Sequence, residues 1–232
     1  MTPILGETEN GVKTIRRTLG VLPEAVIYDV DLTMSLPPRA AAASGMNAIA
    51  HAVKALCARD GSPLASLIAE AGIAAMGRSL TRIADDPGDE DARSDALYGA
   101  WLAGMCLGTA GMALHHKLCH VLGGAFDLPH AETHAIVLPH AVAYNALAAA
   151  EAMARAARGL GVGDVAQSLY ELAGRLGLGR ALCDVGMPKE GIGRAAERAM
   201  QEADWNPRPL DPAGIRGLIT RAWNGEPPRV VG

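Results

Sequence analysis

The chain has 232 residues, enough for one full-sized domain or for one domain with a fragment of another. Half of the residues are hydrophobic, but only three Trp, four Tyr and one Phe are aromatic, so small and aliphatic side chains must fill the core. Cores of this kind are typical of close-packed helices. The 21 basic and 25 acidic residues give a net charge of −4, which lacks the basic excess of a nucleic-acid-binding protein.

The cysteines and the apolar segments indicate where the protein works. Cys57, Cys106, Cys119 and Cys183 lie far apart and form no C-x-x-C pair, which favours a reducing cytoplasm. No uncharged apolar run reaches the roughly 18 residues of a membrane-spanning helix, and the N-terminal residues lack the basic and apolar blocks of a signal peptide. We therefore expect a soluble, cytoplasmic protein with no membrane partner.

The first 30 residues differ from the rest of the chain. Short β-branched stretches at Gly11–Ile15 and Ala25–Asp29, separated by turn-forming residues, predict two strands. Two short strands do not form a stable sheet by themselves. They are typical of the end of a sheet whose other strands lie elsewhere.

From Pro37 onward, apolar residues recur at three- and four-residue steps, and Gly and Pro separate the periodic segments. This pattern predicts a mainly α fold, a multi-helix bundle over residues 34–232. The predicted helices cover residues 37–60, 63–84, 91–114, 116–123, 131–158, 163–176, 188–203 and 211–223.

Six of the seven histidines lie between Leu114 and His140. His116 and His120 are four residues apart and should share one helix face. Gly123-Gly124 and Pro129 are expected to turn the chain, so that His130, at the start of the next helix, returns to that face. The seventh histidine, His51, has the same four-residue spacing from Asn47 on the first long helix.

Asn47, His51, His116 and His130 could together outline a four-point metal site. Three imidazoles with a carboxylate would hold a divalent ion better than three imidazoles with the neutral amide found here. A structural or surface role is the simpler interpretation for His115, His134 and His140.

Two further side chains in this segment could take part in chemistry. Lys117 could supply a cation for an anionic substrate, or it could be a solvated side chain. Cys119 directly precedes His120 on the same predicted helix. Adjacent helix positions point about 100° apart, which argues against a thiol–imidazole pair.

The segments Ser44–His51 and His115–His134 resemble the signature regions of the iron-containing alcohol dehydrogenase superfamily, and more closely those of its maleylacetate reductase branch. The resemblance implies a dehydroquinate synthase-like α domain over residues 34–232, preceded by a β-hairpin. Residues 1–33 would then be the remnant of an N-terminal α/β nucleotide-binding domain. No G-x-G-x-x-G stretch is present, so we expect the main dinucleotide-binding loop to lie outside this chain.

The resemblance also implies roles for individual residues. His51, His116 and His130 match three metal-ligand positions, whereas Asn47 stands where metal-using relatives have aspartate. The maleylacetate reductase branch has asparagine there as well and is described as working without the metal. His120 matches a non-ligand histidine near the nicotinamide and the substrate. Thr2 and Lys13 fall in segments that would contact the cofactor.

The implied reaction is the reduction of the maleylacetate carbon–carbon double bond by NADH or NADPH, which gives 3-oxoadipate during the breakdown of aromatic compounds. In that scheme His120 donates the proton or stabilises the enolate, and His51, His116 and His130 form the polar pocket as protonatable imidazoles. Lys117 and Asn47 would bind the small dicarboxylate.

Two alternatives stay open. One is a metal-dependent alcohol dehydrogenase or aldehyde reductase with Fe²⁺ or Zn²⁺ at His51, His116 and His130. The other is a non-catalytic helical domain that needs a separate N-terminal α/β domain for the nucleotide. A homodimer is the default assembly.

Overall fold

Nine α-helices follow a short antiparallel hairpin in the computed structural model, which describes residues 4–9, 12–109, 114–201 and 205–230, with side chains from residue 18 onward. The mainly α fold class predicted from the sequence is confirmed. Within these ranges, no helix is long and apolar enough to cross a membrane.

The hairpin pairs β1 (Ile4–Glu9) with β2 (Val12–Arg17), and Ile4 lies opposite Arg17. The first predicted strand overlaps β2. The second predicted strand, at Ala25–Asp29, is wrong, because those residues have no regular secondary structure. A strand needs a neighbour for its backbone hydrogen bonds, and no described strand lies beside this segment. Its side chains are consequently exposed, and Ile27 is 90% accessible to solvent.

The helices have the following bounds: α1 (Pro38–Leu56), α2 (Pro63–Asp85), α3 (Glu90–Thr109), α4 (Leu114–Phe126), α5 (His130–Asn145), α6 (Ala150–Leu160), α7 (Val165–Arg175), α8 (Gly191–Gln201) and α9 (Pro212–Asn224). Three starts agree with the proline signals in the sequence, because Pro occupies the first turn of α1, α2 and α9. The side chains of Ser62 and Asp211 cap α2 and α9 by accepting backbone N–H groups. The third helix was predicted to extend to residue 114. Helix α3 is described to Thr109, and residues 110–113 lie outside the described ranges.

Two turns of the chain lie at other positions than predicted. Gly123-Gly124 do not turn the chain but lie within α4, which continues to Phe126. The reversal is made by Asp127–Pro129, where Asp127 has a φ of 52°. The single helix predicted over residues 131–158 is two helices, because a turn at residues 146–149 separates α5 from α6.

Helix α5 lies at the centre of the bundle. Every residue from Thr133 to Asn145 is buried. Leu138 packs into a core formed with α1, α2, α6 and α7, whereas Ile136 belongs to a second core formed with α4, α8 and α9. The polar side chains of α5 are therefore held between two apolar cores, in positions where burial strongly affects their chemistry.

Candidate active site

Helix α1 presents three polar side chains on one face. Asn47, His51 and Lys54 are spaced by four and three residues, so they lie one above another along the helix. Asn47 and His51 are partly buried, and Lys54 is only 4% exposed. The rest of the buried face of α1 is mostly Ala, Ile and Met, so these three groups are placed against the bundle interior.

Helices α4 and α5 supply the other histidines. His115, His116 and Lys117 occupy the first turn of α4 and are buried, whereas His120, one turn later, is exposed. The reversal at residues 127–129 returns the chain so that His130 opens α5, where it is exposed. His134 follows one turn later and is 1% exposed.

Five imidazole rings from α1, α4 and α5 are in contact, and we call them the histidine cluster: His51, His115, His116, His130 and His134. The ring centroids of His51 and His116 lie 4.4 Å apart, and those of His130 and His134 lie 4.2 Å apart. His115, His116 and His134 are mutually 4.9–5.1 Å apart in edge-to-face arrangements. Three separate stretches of chain therefore converge on one site.

One hydrogen bond fixes the orientation of His115. Its Nε2 lies 2.9 Å from the backbone oxygen of His134, and because a carbonyl only accepts, this nitrogen carries the proton. Its Nδ1 faces Nδ1 of His116 at 3.4 Å. Cys119 Sγ lies 3.6 Å from His115 Nε2, and burial raises the pKa of this thiol well above its usual range. Cys119 is therefore a protonated thiol, which agrees with the sequence argument against a nucleophile.

Burial keeps the inner imidazoles uncharged. It lowers the pKa of His51 to about 3, with the positive charge of Lys54 as the second cause, and the pKa of His115 to about 4. It also brings the pKa of His116 and that of His134 far below the usual range. The expectation that these imidazoles are cations near neutral pH is wrong, because charging them would require desolvated charges in close contact.

Lys54 brings a positive charge close to the histidine cluster. Lys54 lowers the pKa of His51, His115 and His116 through its charge, and it shares the lining of a cavity of about 30 Å³ with His115. Lys117 is 8% exposed, so the interpretation of Lys117 as a solvated side chain is wrong.

Several buried polar atoms in and beside the cluster have no hydrogen-bond partner among the described residues: Asn47 Oδ1, His51 Nδ1, His116 Nε2 and both ring nitrogens of His134. Unpartnered buried polar atoms are rare because each costs free energy comparable to a lost hydrogen bond. Their concentration at one place indicates a site that receives a ligand.

The structure brings most of the predicted site residues together. His51, His116 and His130 belong to the cluster, Asn47 lies one helical turn from His51, and Lys117 is next to His116 in α4. His120 is exposed on α4, and its charge contributes to lowering the pKa of His115 and His134. Thr2 and the side chain of Lys13 lie outside the described parts of the chain.

Three residues of the site were missed by sequence reasoning. His115 and His134 were interpreted as structural, although both belong to the histidine cluster, and the four-residue spacing of His134 from His130 places it on the same face of α5. Lys54 was not considered, although it continues the Asn47–His51 face by one further turn. For His134 and Lys54 this spacing was the available signal.

The fold and the histidine cluster define a class of protein. Residues 41–223 match the model of the Fe-containing alcohol dehydrogenase family, C-terminal region, and the chain belongs to this family.

Within the family, the chain is similar to maleylacetate reductases. It is 57% identical to the maleylacetate reductase of Sphingobium indicum and 54% identical to that of Burkholderia cepacia, over 98% of this chain and 65% of each relative. The crystal structure of maleylacetate reductase from Agrobacterium tumefaciens superposes with a TM-score of 0.94 at 49% identity, again over 98% of this chain and 65% of that one. The chain therefore spans about two thirds of the length of these relatives.

The family name implies iron, and the cluster offers suitable nitrogen ligands. One ring nitrogen from each of His115, His116 and His134 lies within 4.8 Å of the others, and His51 Nδ1 and His116 Nε2 have no hydrogen-bond partner. Neutral imidazole is the form that binds a metal. Asn47 contributes an amide in place of a carboxylate, so this donor set fits a divalent ion in kind but lacks the anionic ligand that would hold it strongly.

Proposed function

We propose that this chain is the helical domain of a maleylacetate reductase, in which NADH or NADPH reduces the carbon–carbon double bond of maleylacetate to give 3-oxoadipate. The observation that carries the proposal is the histidine cluster with Asn47 one turn before His51, in a chain 57% identical to a maleylacetate reductase. The substrate is a small dianion, and buried Lys54, on the same face of α1 as Asn47 and His51, supplies positive charge beside the neutral imidazoles.

The chemistry requires one hydride and one proton. The hydride from the reduced nicotinamide adds to one alkene carbon, and the electron pair of the double bond moves into the conjugated carbonyl as an enolate. The N–H groups of neutral imidazoles such as His51 and His116 stabilise the enolate oxygen, because donors in a water-poor site act strongly on developing charge. A proton then adds to the second carbon, which leaves the saturated product and oxidised cofactor.

His120 is the proton donor in this scheme. It is exposed, so it exchanges protons with solvent between turnovers, and it lies one turn from His116 on α4. Lys117 and Asn47 bind the substrate carboxylates. His130 is exposed at the start of α5, and its ring contacts the buried ring of His134.

A second candidate function is supported by the unpartnered nitrogens of His51 and His116. In a metal-dependent alcohol dehydrogenase or aldehyde reductase, His51, His116 and His130 would hold Fe²⁺ or Zn²⁺. The ion would supply Lewis-acid polarisation of the substrate oxygen. Stoichiometric metal in freshly purified protein, with loss of activity on its removal, would favour this candidate.

The next question is which part of the complete protein holds the dinucleotide. Since the chain matches about two thirds of each relative, we propose that the dinucleotide is held with a separate α/β segment and that this chain contributes the histidine cluster. The alternative is that this chain is a non-catalytic helical domain, and the experiment must distinguish the two.

The test is NADH and NADPH oxidation with maleylacetate as substrate. The chain is assayed alone and after fusion to the part of the Sphingobium indicum relative that it does not match, and we call the fusion the completed protein. Maleylacetate-dependent oxidation by the completed protein, lost on combined His51→Ala and His116→Ala substitution, supports the proposal. A folded completed protein that binds NADH but does not oxidise it with maleylacetate would contradict the proposal.

A further inference from the structure

A second polar cavity lies outside the histidine cluster. It has a volume of about 350 Å³ and is lined by the second half of α5, by one side of α9 from Ala213 to Arg221, and by the chain before and after α9. Its polar lining consists of His140, Tyr144, Arg208, Asp211, Arg221 and Arg229. His140 follows His134 by six residues, which places it about 9 Å further along α5 and on another side of that helix.

The cavity has an excess of positive charge. Three guanidinium groups face one carboxylate, and the Asp211 carboxylate is paired with Arg208 at 3.5 Å. Among the described residues, Arg221 and Arg229 form no ion pair, and Nε of Arg221 is buried without a hydrogen-bond partner. A buried guanidinium N–H without an acceptor is costly, so this N–H indicates a position that receives a ligand with acceptor oxygens.

His140 supplies an independent indication of a ligand. It is 2% exposed, it lines the cavity, and neither ring nitrogen has a hydrogen-bond partner among the described residues. Burial, followed by the charge of Arg221, lowers the pKa of His140 to about 4, so the ring is neutral and retains one N–H donor. No hydrogen bond to the described residues therefore explains why this imidazole is buried here.

The other polar groups form a fixed frame. The Tyr144 hydroxyl donates to the Pro209 oxygen at 2.9 Å and accepts the Asp211 N–H at 3.1 Å, and the Arg208 guanidinium lies 4.3 Å from the Tyr144 ring centroid. These contacts attach the segment before α9 to α5. The unmatched donors on Arg221 and His140 are therefore held by rigid elements, as a binding site requires.

We propose that this cavity binds a small, doubly charged oxyanion, at a site separate from the histidine cluster. Guanidinium groups pair well with the oxygens of phosphates and carboxylates, and a volume of about 350 Å³ accommodates a small molecule of either class. Arg221 and His140 contact the anion inside the cavity, and Arg229 contributes charge at its exposed edge. The site is independent of the proposed reductase activity, because none of its residues belongs to the cluster.

Calorimetric titration of the 232-residue chain with inorganic phosphate and, separately, with succinate in low-chloride buffer tests the proposal. We expect saturable one-site binding of at least one anion, and the tighter of the two identifies the oxyanion class. Arg221→Gln should weaken binding at least about tenfold, whereas Arg216→Gln should weaken it less than twofold. Arg216 is the matched control, because it is an exposed arginine on the same helix outside the cavity.

A second measurement does not depend on the folding of any variant. In the unsubstituted chain, the NMR resonance of the His140 ring should shift with the same saturation curve as the calorimetric titration. Failure of both anions to saturate, equal affinity of Arg221→Gln and Arg216→Gln, or an unchanged His140 resonance would each overturn the proposal.

Discussion

The imidazole rings of His51 and His116 lie 4.4 Å apart at a tilt of 31°, although one ring belongs to α1 and the other to α4. Two charged rings at this distance would repel each other, and burial keeps the pKa of both well below the usual range. The pair is therefore neutral at neutral pH. It can donate hydrogen bonds to a developing oxyanion or offer lone pairs to a metal ion, but it cannot act as a permanent cation.

The first prediction concerns the proton donor. In the completed protein, His120→Gln should lower kcat for maleylacetate by about 10²–10⁴-fold, the usual range for a lost general acid. Because His120 is exposed, its substitution should leave the midpoint of thermal unfolding unchanged within a few degrees. Steady-state kinetics and a thermal melt check both parts. A variant with near-normal kcat would assign proton donation to another group.

The second prediction concerns stability and pH. Burial lowers the pKa of His51 to about 3 and that of His115 and His140 to about 4, whereas the unfolded value is about 6.5. Between these values the unfolded chain binds more protons than the folded chain, so the free energy of unfolding should fall as the pH is lowered from 7 toward 5. Each such histidine contributes a slope of up to about 1.4 kcal/mol per pH unit.

Urea unfolding at several pH values in phosphate-free buffer measures this slope. His140→Gln should reduce the slope of the free energy of unfolding against pH, measured near pH 5.5, by up to about 1.4 kcal/mol per pH unit. An identical pH dependence in the variant and the unsubstituted chain would mean that His140 is not held neutral by the fold.

The third prediction concerns the packing of α6 on α2. A Cβ added at Gly159 would lie 2.9 Å from the backbone oxygen of Glu70 and 3.0 Å from a methyl carbon of Ile73, so the backbones would have to separate. Gly159→Ala should destabilise the protein by about 1–3 kcal/mol. Gly124→Ala is the control, because nothing lies within 4 Å of the added carbon and the site is exposed within α4.

The control should gain stability, by about 0.4–1 kcal/mol, because alanine restricts the unfolded chain. Urea unfolding of the two variants compares them directly. Equal stability of Gly159→Ala and Gly124→Ala would show that α6 does not approach α2 as closely as described.

The fourth prediction concerns two buried amides. Asn145 and Asn206 exchange hydrogen bonds, with N···O distances of 3.1 Å and 2.7 Å, and so join the end of α5 to the segment before α9. Asn145→Ala leaves polar atoms of Asn206 without these partners and should cost about 1–3 kcal/mol. In the double variant the loss should be smaller than the sum of the two single losses by about 0.5–3 kcal/mol. Strict additivity would contradict the pairing.

The sequence predicted those parts of the structure that local chemistry determines. Proline and glycine mark the ends of α1, α2, α7 and α9. The four-residue spacing of Asn47 and His51 places both on one face of α1, whereas His116 is buried and His120, four residues later, is exposed. The convergence of α1, α4 and α5 was anticipated from the resemblance and from the number of histidines in one segment.

The differences arise from contacts between residues far apart in the chain. Residues 146–149 are rich in alanine and contain no helix breaker, yet the chain turns there, where Asn145 is held by Asn206 and α6 packs on α2. The charge state of His51 was also misjudged, because burial is a property of the folded bundle. The exposed segment around Ile27 has strand-forming residues, but strand formation depends on a neighbour that the local sequence does not specify.

The most direct test of the metal-free reductase chemistry is the rate of maleylacetate-dependent NADH or NADPH oxidation by the completed protein, measured together with its iron and zinc content before and after chelation. We expect the rate per protein molecule to stay the same when metal content falls to a few per cent of stoichiometric. A rate that falls in proportion to the metal removed, and returns on addition of Fe²⁺ or Zn²⁺, would contradict the proposal and favour the metal-dependent alternative.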